Sequence, residues 1–552
     1  MKKWTILLAT MLVFALASCG GPGSSTGDPS EPPEAVGETV AEVETPLETP
    51  PEFPSEILDE TLDHRPVLPS WPARERLPRP PESVAAASDG ATYPQGSTTY
   101  PAREAAIYGS LVIMDDGAVG RFEQKDKDDQ LEFVIEIEEK GFYRLEFEAR
   151  TFGGYKENWL FIDGGLTDKL IADSEDYAPA LVRQVWFEAG EHTIWLRAEW
   201  GWTAIMSLTV AGETSPFAEG LYNVPIKLVN PNADDNALGL MSFLVMNYGK
   251  YSLAGQQSQG DWGLDHGLFG GEAEFVFEQT GKRPAVIGLD MIDYSLSRVA
   301  NGTTSTEVEA ALEAWENNAI VTFCWHWNAP APYIDGTWWS AFYTDHSKRG
   351  FFKKIMDGDD PAGYQLLLDD IDAIAVQLAR LRDAGVPVLW RPLHEASGGW
   401  FWWGTDRDSY LKLYKLLYER LTVEHNLTNL IWVWNGQHQE WYPGDEYVDI
   451  IGEDVYLNNP HVYTSQINKF LTAAAYTGER KIIAMTENGC LFDPEWARRD
   501  GAVWSWWCVW NGDFAMTEAH TEFDMLRQVY ASEYVLTWDE LPDLKTYPIY
   551  VD

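Results

Sequence analysis

Downstream of about Asn230 the sequence alternates short apolar runs with helix-length stretches, and the runs number eight. They are Tyr251-Ser-Leu-Ala-Gly255, Ala285-Val-Ile-Gly-Leu-Asp290, Ile320-Val-Thr-Phe-Cys-Trp-His326, Val388-Leu-Trp-Arg-Pro-Leu-His-Glu395, Leu430-Ile-Trp-Val-Trp-Asn435, Asp449-Ile-Ile-Gly-Glu-Asp-Val-Tyr456, Ile482-Ile-Ala-Met-Thr-Glu-Asn488 and Trp504-Ser-Trp-Trp-Cys-Val-Trp510. Strands separated by helices pair in parallel, and near-continuous apolar strands are buried on both faces. The stretch from Tyr364 to Ala384 places Leu367, Ile371, Ile374, Leu378 and Leu381 at helical spacing. Eight strand–helix units close a parallel sheet on itself, so the pattern predicts an α/β fold, a (β/α)8 barrel over residues 222–552.

In such barrels the carboxyl ends of the strands carry the active site. The runs end there in Gln256 and Gln257, Asp290, His326, His394 and Glu395, Asn435, Asp454 and Tyr456, Glu487 and Asn488, and Trp510 with Asn511. Any one of these residues alone could cap a following helix. Together they describe a polar cleft above a packed core. Strands four and seven lie on opposite sides of an eight-stranded barrel, which sets Glu395 against Glu487. Two facing carboxyl groups, one protonated and one ionised, are what hydrolysis of a glycosidic bond with retention requires. The other carboxylates, Asp290, Asp293, Glu453 and Asp454, compete for the role, and their plain alternative is ion pairing or loop anchoring. The physical argument makes the Glu395–Glu487 pair suitable without assigning the two roles.

The region 93–213 reads differently. Leu131-Glu-Phe-Val-Ile-Glu-Ile137, Phe142-Tyr-Arg-Leu-Glu-Phe-Glu-Ala149, Leu181-Val-Arg-Gln-Val-Trp-Phe187, His192-Thr-Ile-Trp-Leu-Arg-Ala198 and Met206-Ser-Leu-Thr-Val210 are punctuated by Gly, with no long helix between them. Period-two patterning predicts an all-β antiparallel sandwich of jelly-roll type ahead of the barrel. Trp200-Gly-Trp202 lies before its last strand. An exposed indole there offers a flat apolar face to a sugar ring, and the alternative is that Trp200 or Trp202 belongs to the core or covers an edge.

Residues 1–19 open with Met1-Lys-Lys3, continue apolar, and close with Leu16-Ala-Ser-Cys19, which predicts a processed signal peptide too short to span a membrane comfortably. Cys19 in that setting resembles a bacterial lipobox, which implies a lipid on its thiol and a protein anchored on the extracellular side of a bacterial membrane. Residues 20–92 form a Pro/Ser/Thr-rich acidic linker, with no Lys or Arg between Cys19 and Asp63, so a disordered stalk is expected. With 40 basic and 86 acidic residues the net charge is −46, which argues against nucleic acid or anionic lipid as electrostatic partners and favours an uncharged substrate. Cys324, Cys490 and Cys508 show no metal-ligand spacing, so no metal is expected; buried free thiols are the plain reading and a Cys490–Cys508 bridge the alternative.

Two resemblances sharpen these expectations. Trp390-Arg-Pro-Leu-His-Glu-Ala-Ser-Gly-Gly-Trp-Phe-Trp-Trp-Gly404 is similar to the acid/base signature of glycoside hydrolase family 26, and Thr486-Glu-Asn-Gly489 to its nucleophile segment. Cys324-Trp-His-Trp327, Trp441-Tyr-Pro-Gly444 and Asp454-Val-Tyr456 follow the same family in the same order. The resemblance implies a β-mannanase-like, retaining, cofactor-free enzyme with Glu395 as acid/base and Glu487 as nucleophile. It further implies that Tyr456 supports the nucleophile, that His394 and His326 line the cleaved sugar's site, and that Trp510 forms its floor. Trp400 would be a platform on the leaving-group side, and Asn435, Asp454 and Trp327 further substrate contacts. Phe401, Trp402 and Trp403 are expected to pack their loop. Upstream, Glu139-Lys-Gly-Phe-Tyr-Arg-Leu145 and Glu188-Ala-Gly-Glu-His-Thr-Ile-Trp-Leu196 resemble carbohydrate-binding module family 35. That family's calcium-binding Glu-Ala-Glu opening reads Pro101-Ala-Arg-Glu104 here, which leaves calcium open. A monomer acting on β-mannan is expected. Mixed-linkage β-glucan, β-1,3-xylan and a non-catalytic glycan-binding role are the alternatives, and endo or exo action is left open.

Overall fold

The computed structural model describes residues 73–80, 91–123, 128–217, 220–258, 266–457 and 461–551. The expected signal peptide, Cys19 and most of the expected linker lie outside the described residues.

The eight runs form a closed parallel barrel. Its strands are β1 (Gly255–Gln257), β2 (Val286–Asp290), β3 (Ile320–Trp325), β4 (Val388–Pro392), β5 (Leu430–Trp434), β6 (Ile450–Val455), β7 (Ile482–Asn488) and β8 (Trp507–Val509). Pairing of Gln256 with Val509 closes the ring. Two strands differ from expectation. Ser252–Leu253 pairs with Val535–Leu536 instead of entering the barrel, which begins at Gly255. A side chain at Gly255 would collide with the Trp507 carbonyl, so glycine is what lets β1 and β8 approach. In the eighth run only Trp507–Val509 pairs in the barrel, and Trp504 to Trp506 lead into it.

The helix Asp235–Asn247 closes the end of the barrel opposite the strand carboxyl ends. Asp234 caps it by accepting from the amides of Asn236 and Ala237, and also binds Thr428, just before β5. Asn236 Nδ2 donates to the Gly385 carbonyl, just before β4, and the Tyr248 hydroxyl accepts from the Ile483 amide at the start of β7. Nine of the helix's residues are buried, as expected for a helix capping a core rather than facing water.

Part of the expected linker is built into this closed end. Arg76–Pro78 pairs in parallel with the last strand, Ile549–Val551. Arg74 is buried, and its guanidinium donates to the carbonyls of Leu544 (2.7 Å) and Tyr547 (3.0 Å) and to Asn236 Oδ1 (2.7 Å). Polar composition predicts a stalk here, but a cation that finds three acceptors and a free strand edge overrides composition.

The sandwich has a five-stranded and a six-stranded antiparallel sheet, whose long strands include Gln130–Ile137, Gly141–Thr151, Ala178–Phe187, Gly190–Trp200 and Thr203–Gly212. Its core, with Phe133, Phe147, Leu160 and Leu196, is separate from that of the barrel. Contact between the two is polar and aromatic: Asn468 Nδ2 donates to Asp168 Oδ2 (2.9 Å), and the Arg499 guanidinium stands 5.0 Å over the Trp186 ring.

Candidate active site

The strand β4 runs apolar to Arg391 and Pro392, and then the backbone breaks. Leu393 (φ 53°) and Glu395 (φ 52°) adopt the left-handed conformation, which costs non-glycine residues about 1 kcal/mol or more each. That break allows the adjacent His394 and Glu395 to enter the same site. The Glu395 amide donates to both the Asn435 carbonyl (2.7 Å) and its side-chain Oδ1 (3.0 Å), fixing the turn.

Glu487, near the end of β7, is buried and accepts from two donors. The Tyr456 hydroxyl donates to Oε2 (2.9 Å), and Arg391 forms an ion pair with Oε1. Arg391 also donates to Asp454 Oδ2 (2.8 Å). Burial works against a charged arginine, and Asp454 and Glu487 more than offset it, raising its pKa. Burial likewise works against ionised Asp454, while Arg391, the Asn435 amide (2.9 Å) and the Thr486 hydroxyl (2.7 Å) all donate to it.

Glu395 makes no such ion pair among the described residues. Burial first, and the Glu487 carboxylate second, push its pKa up from 4.5 to about 7, against the opposing hydrogen bond from Trp400 Nε1 to Oε2 (2.8 Å). A carboxyl group that keeps its proton near neutrality, beside one held by a guanidinium and a phenol, is a matched general acid and anion.

His326 lies between β3 and the cleft. Its amide and Nδ1 both meet Asp290, at 3.0 and 2.5 Å, and its Nε2 stands 3.1 Å from His394 Nε2. Asp290, Cys324 and His326 converge within 4.8 Å, but the 2.5 Å contact is a hydrogen bond. Two ligands of one tetrahedral ion with bonds of about 2 Å would stand about 3.3 Å apart. Trp510 is half-buried with its ring 5.8 Å from His326, and Trp400 is 48% exposed.

Three expected contacts are corrected. Trp327 is fully buried, stacked 4.1 Å from Trp325 with Nε1 donating to Asp370, so no sugar reaches it. Asn435 and Asp454 are buried and use their polar atoms on Glu395, Thr486 and Arg391; they brace the pair instead of touching substrate. Phe401, Trp402 and Trp403 are buried in the loop, with Trp403 Nε1 donating to the His394 carbonyl. Arg391 is a functional residue that strand-end polarity does not single out, although a cation inside an apolar strand demands counter-charges and so signals them. In the sandwich, Trp202 is 49% exposed with φ 70°, near exposed Phe152, whose amide donates to the Trp202 carbonyl. The Trp200 side chain lies outside those described. Cys324, Cys490 and Cys508 are buried free thiols.

Residues 229–540 match glycosyl hydrolase family 26, and residues 91–212 match carbohydrate binding module (family 35). The chain is 39% identical over 456 residues to a mannan endo-1,4-beta-mannosidase of Thermothelomyces thermophilus, spanning 81% of this chain and 90% of that one. It is 30% identical over 430 residues to mannan endo-1,4-beta-mannosidase B of a Piromyces species, spanning 77% and 73%. A Podospora anserina GH26-CBM35 beta-(1,4)-mannanase is similar in structure, with a TM-score of 0.58 and 36% identity over 82% of this chain and all of that one. The family match covers more than half of the chain and the whole of its barrel, so the chain belongs to glycosyl hydrolase family 26 and carries a family 35 carbohydrate-binding module ahead of its catalytic domain.

Proposed function

We propose that this chain hydrolyses internal β-1,4-mannosidic linkages of mannan, galactomannan or glucomannan by double displacement. The observation that carries this reading is the unequal pair: Glu395 raised to about 7, and Glu487 held by Arg391 and Tyr456. Its substrate comes from the relatives named as mannan endo-1,4-beta-mannosidases. Glu487 attacks the anomeric carbon while Glu395 protonates the departing oxygen, giving a glycosyl ester. Glu395, now ionised, takes a proton from water as the water attacks that ester and releases Glu487. Trp400 offers an indole face to the sugar that leaves, and Trp510 a floor to the sugar that reacts.

Release of reducing ends from mannan, galactomannan, glucomannan, lichenan and β-1,3-xylan tests the substrate. Activity confined to lichenan or xylan overturns mannan, and activity on none overturns catalysis. Roles are tested with an activated aryl β-mannoside and azide. Glu395→Ala should give a burst of aryl alcohol, then β-mannosyl azide; Glu487→Ala should give no burst and only the α-azide. Reversed stereochemistry would sink the assignment.

The sandwich adds a second sugar contact through Trp202, and Cys19 carries a lipid that holds the enzyme to a bacterial membrane. Cys19→Ser should free the protein from membranes at unchanged specific activity; continued membrane association refutes the anchor.

A further inference from the structure

We propose that Asp290 is a positioning residue for the reaction, locking His326 so that His326 and His394 hold one positive charge between them beside Glu395 and Glu487. The proposal rests on that carboxyl pair being the reacting one.

Asp290 ends β2 and uses both oxygens. Oδ1 accepts from the amides of Ile292 (2.9 Å) and His326 (3.0 Å), and Oδ2 takes His326 Nδ1 (2.5 Å). An acceptor-only carboxylate assigns a hydrogen to His326 Nδ1. The 3.1 Å contact between the two Nε2 atoms then holds one shared hydrogen. A further proton can enter the pair only at His394 Nδ1, which is buried and has no partner among the described residues. When it enters, the shared hydrogen passes to His326, and the charge rests on the ring that Asp290 backs. The carboxylate thereby decides which imidazole is the cation.

The groups facing His326 are Asp290 from β2, Cys324 Sγ at 3.9 Å on its own strand, His394 and Arg391 from β4 and its end, and Glu487 from β7. Burial opposes charge on His326, and Asp290 outweighs it, so its pKa is raised. Burial first and the His326 charge second push His394 well down. The His326 charge also counts among the influences that lower Glu395. Without Asp290 both imidazoles are neutral, and Glu395, losing that positive neighbour, keeps its proton to higher pH.

In Asp290→Asn, which retains an acceptor for the two amides, the limb of the kcat/KM profile set by the Glu395 proton should move up by about half a pH unit or more. Asp290→Glu should bring it part of the way back. A uniform loss of rate with unmoved limbs, or a downward shift, overturns the proposal. NMR titration of the imidazoles in the unmodified enzyme reads the same charge without substrate and without any risk of misfolding. The His326 signal, assigned by its loss in His326→Gln, should stay doubly protonated above the ordinary histidine range. An ordinary or lowered titration overturns the proposal while leaving the roles of Glu395 and Glu487 untouched, and an enzyme inactive on every glycan leaves this titration unaffected.

Discussion

The sandwich and the barrel both bury dense apolar cores, but they keep charge in different places. The sandwich's core cluster is aliphatic and aromatic, and its buried carboxylates Asp129 and Glu213 are satisfied by Ser110 and by Arg183. The barrel runs charge through its strands as Arg391, Asp454 and Glu487, and burial raises Asp370, Asp449, Glu453 and Glu395 to about 7. A sugar-binding surface needs only an exposed face on a stable support. A reacting centre needs charges already stripped of water and already aimed, which a fold sustains only by bracing them.

That contrast breaks first, if it breaks, at the reacting pair. Glu487→Ala should lower turnover of mannan by at least about 10⁴-fold, and Glu395→Ala by about 10² to 10⁴-fold, with binding of each full-length variant to insoluble mannan unchanged. Arg391→Met should follow. It leaves Asp454 and Glu487 buried without a cation, and unfolding in denaturant should show the barrel losing about 3–5 kcal/mol with the sandwich unaffected.

A pH experiment sharpens the comparison. Glu395 has a folded pKa of about 7 against 4.5 unfolded, so the native state keeps a proton that the unfolded state gives up. Its contribution to stability is therefore undiminished below about 4.5 and falls as pH rises towards about 7. Glu395→Gln should unfold at the same denaturant concentration as the parent at pH 4, and be more stable by up to roughly 3 kcal/mol at pH 7. The sandwich carboxylate Glu213 has the opposite sign: burial opposes its ionisation, but Arg183 outweighs that and lowers its pKa. Its contribution should be lost on acidification.

Smaller effects remain at the edges. Arg74→Ala should cost the barrel about 2 kcal/mol by leaving buried carbonyls unpaired. A fragment beginning at Tyr222, which lacks the 76–78 strand, should melt lower than one that retains residues 73–80. Trp202→Ala should leave hydrolysis of soluble mannan unchanged and cost about 1 kcal/mol of affinity for the insoluble polymer. Equal loss on both would show that Trp202 serves the fold.

The barrel was legible because fully buried parallel strands write themselves as unbroken apolar runs, and because strand ends that face a cleft must be polar. Glu395 and Glu487 stood out on that rule. The same rule misled for Trp327, Asn435 and Asp454, since a strand-end polar or aromatic side chain can as well brace a neighbour as face solvent, and sequence spacing does not say which. Arg391 was hidden by its apolar neighbours although it is the group both carboxylates depend on. Strand β1 starts four residues later than the apolar run suggests, because Ser252 and Leu253 have strand character and pair outside the ring. The docked Arg76–Pro78 strand had no periodicity to read, being three residues long and ending in proline.

That short strand also sets how the enzyme bears a load. Whatever precedes Ala73 meets the folded protein at the closed end of the barrel, through Arg74 and the pairing with Ile549–Val551. A pull from upstream is therefore delivered to the catalytic domain itself, and the sandwich, whose chain leaves and rejoins that domain, lies outside the line of tension. The open mouth faces away from that point, so such a pull acts on the end of the barrel opposite the cleft.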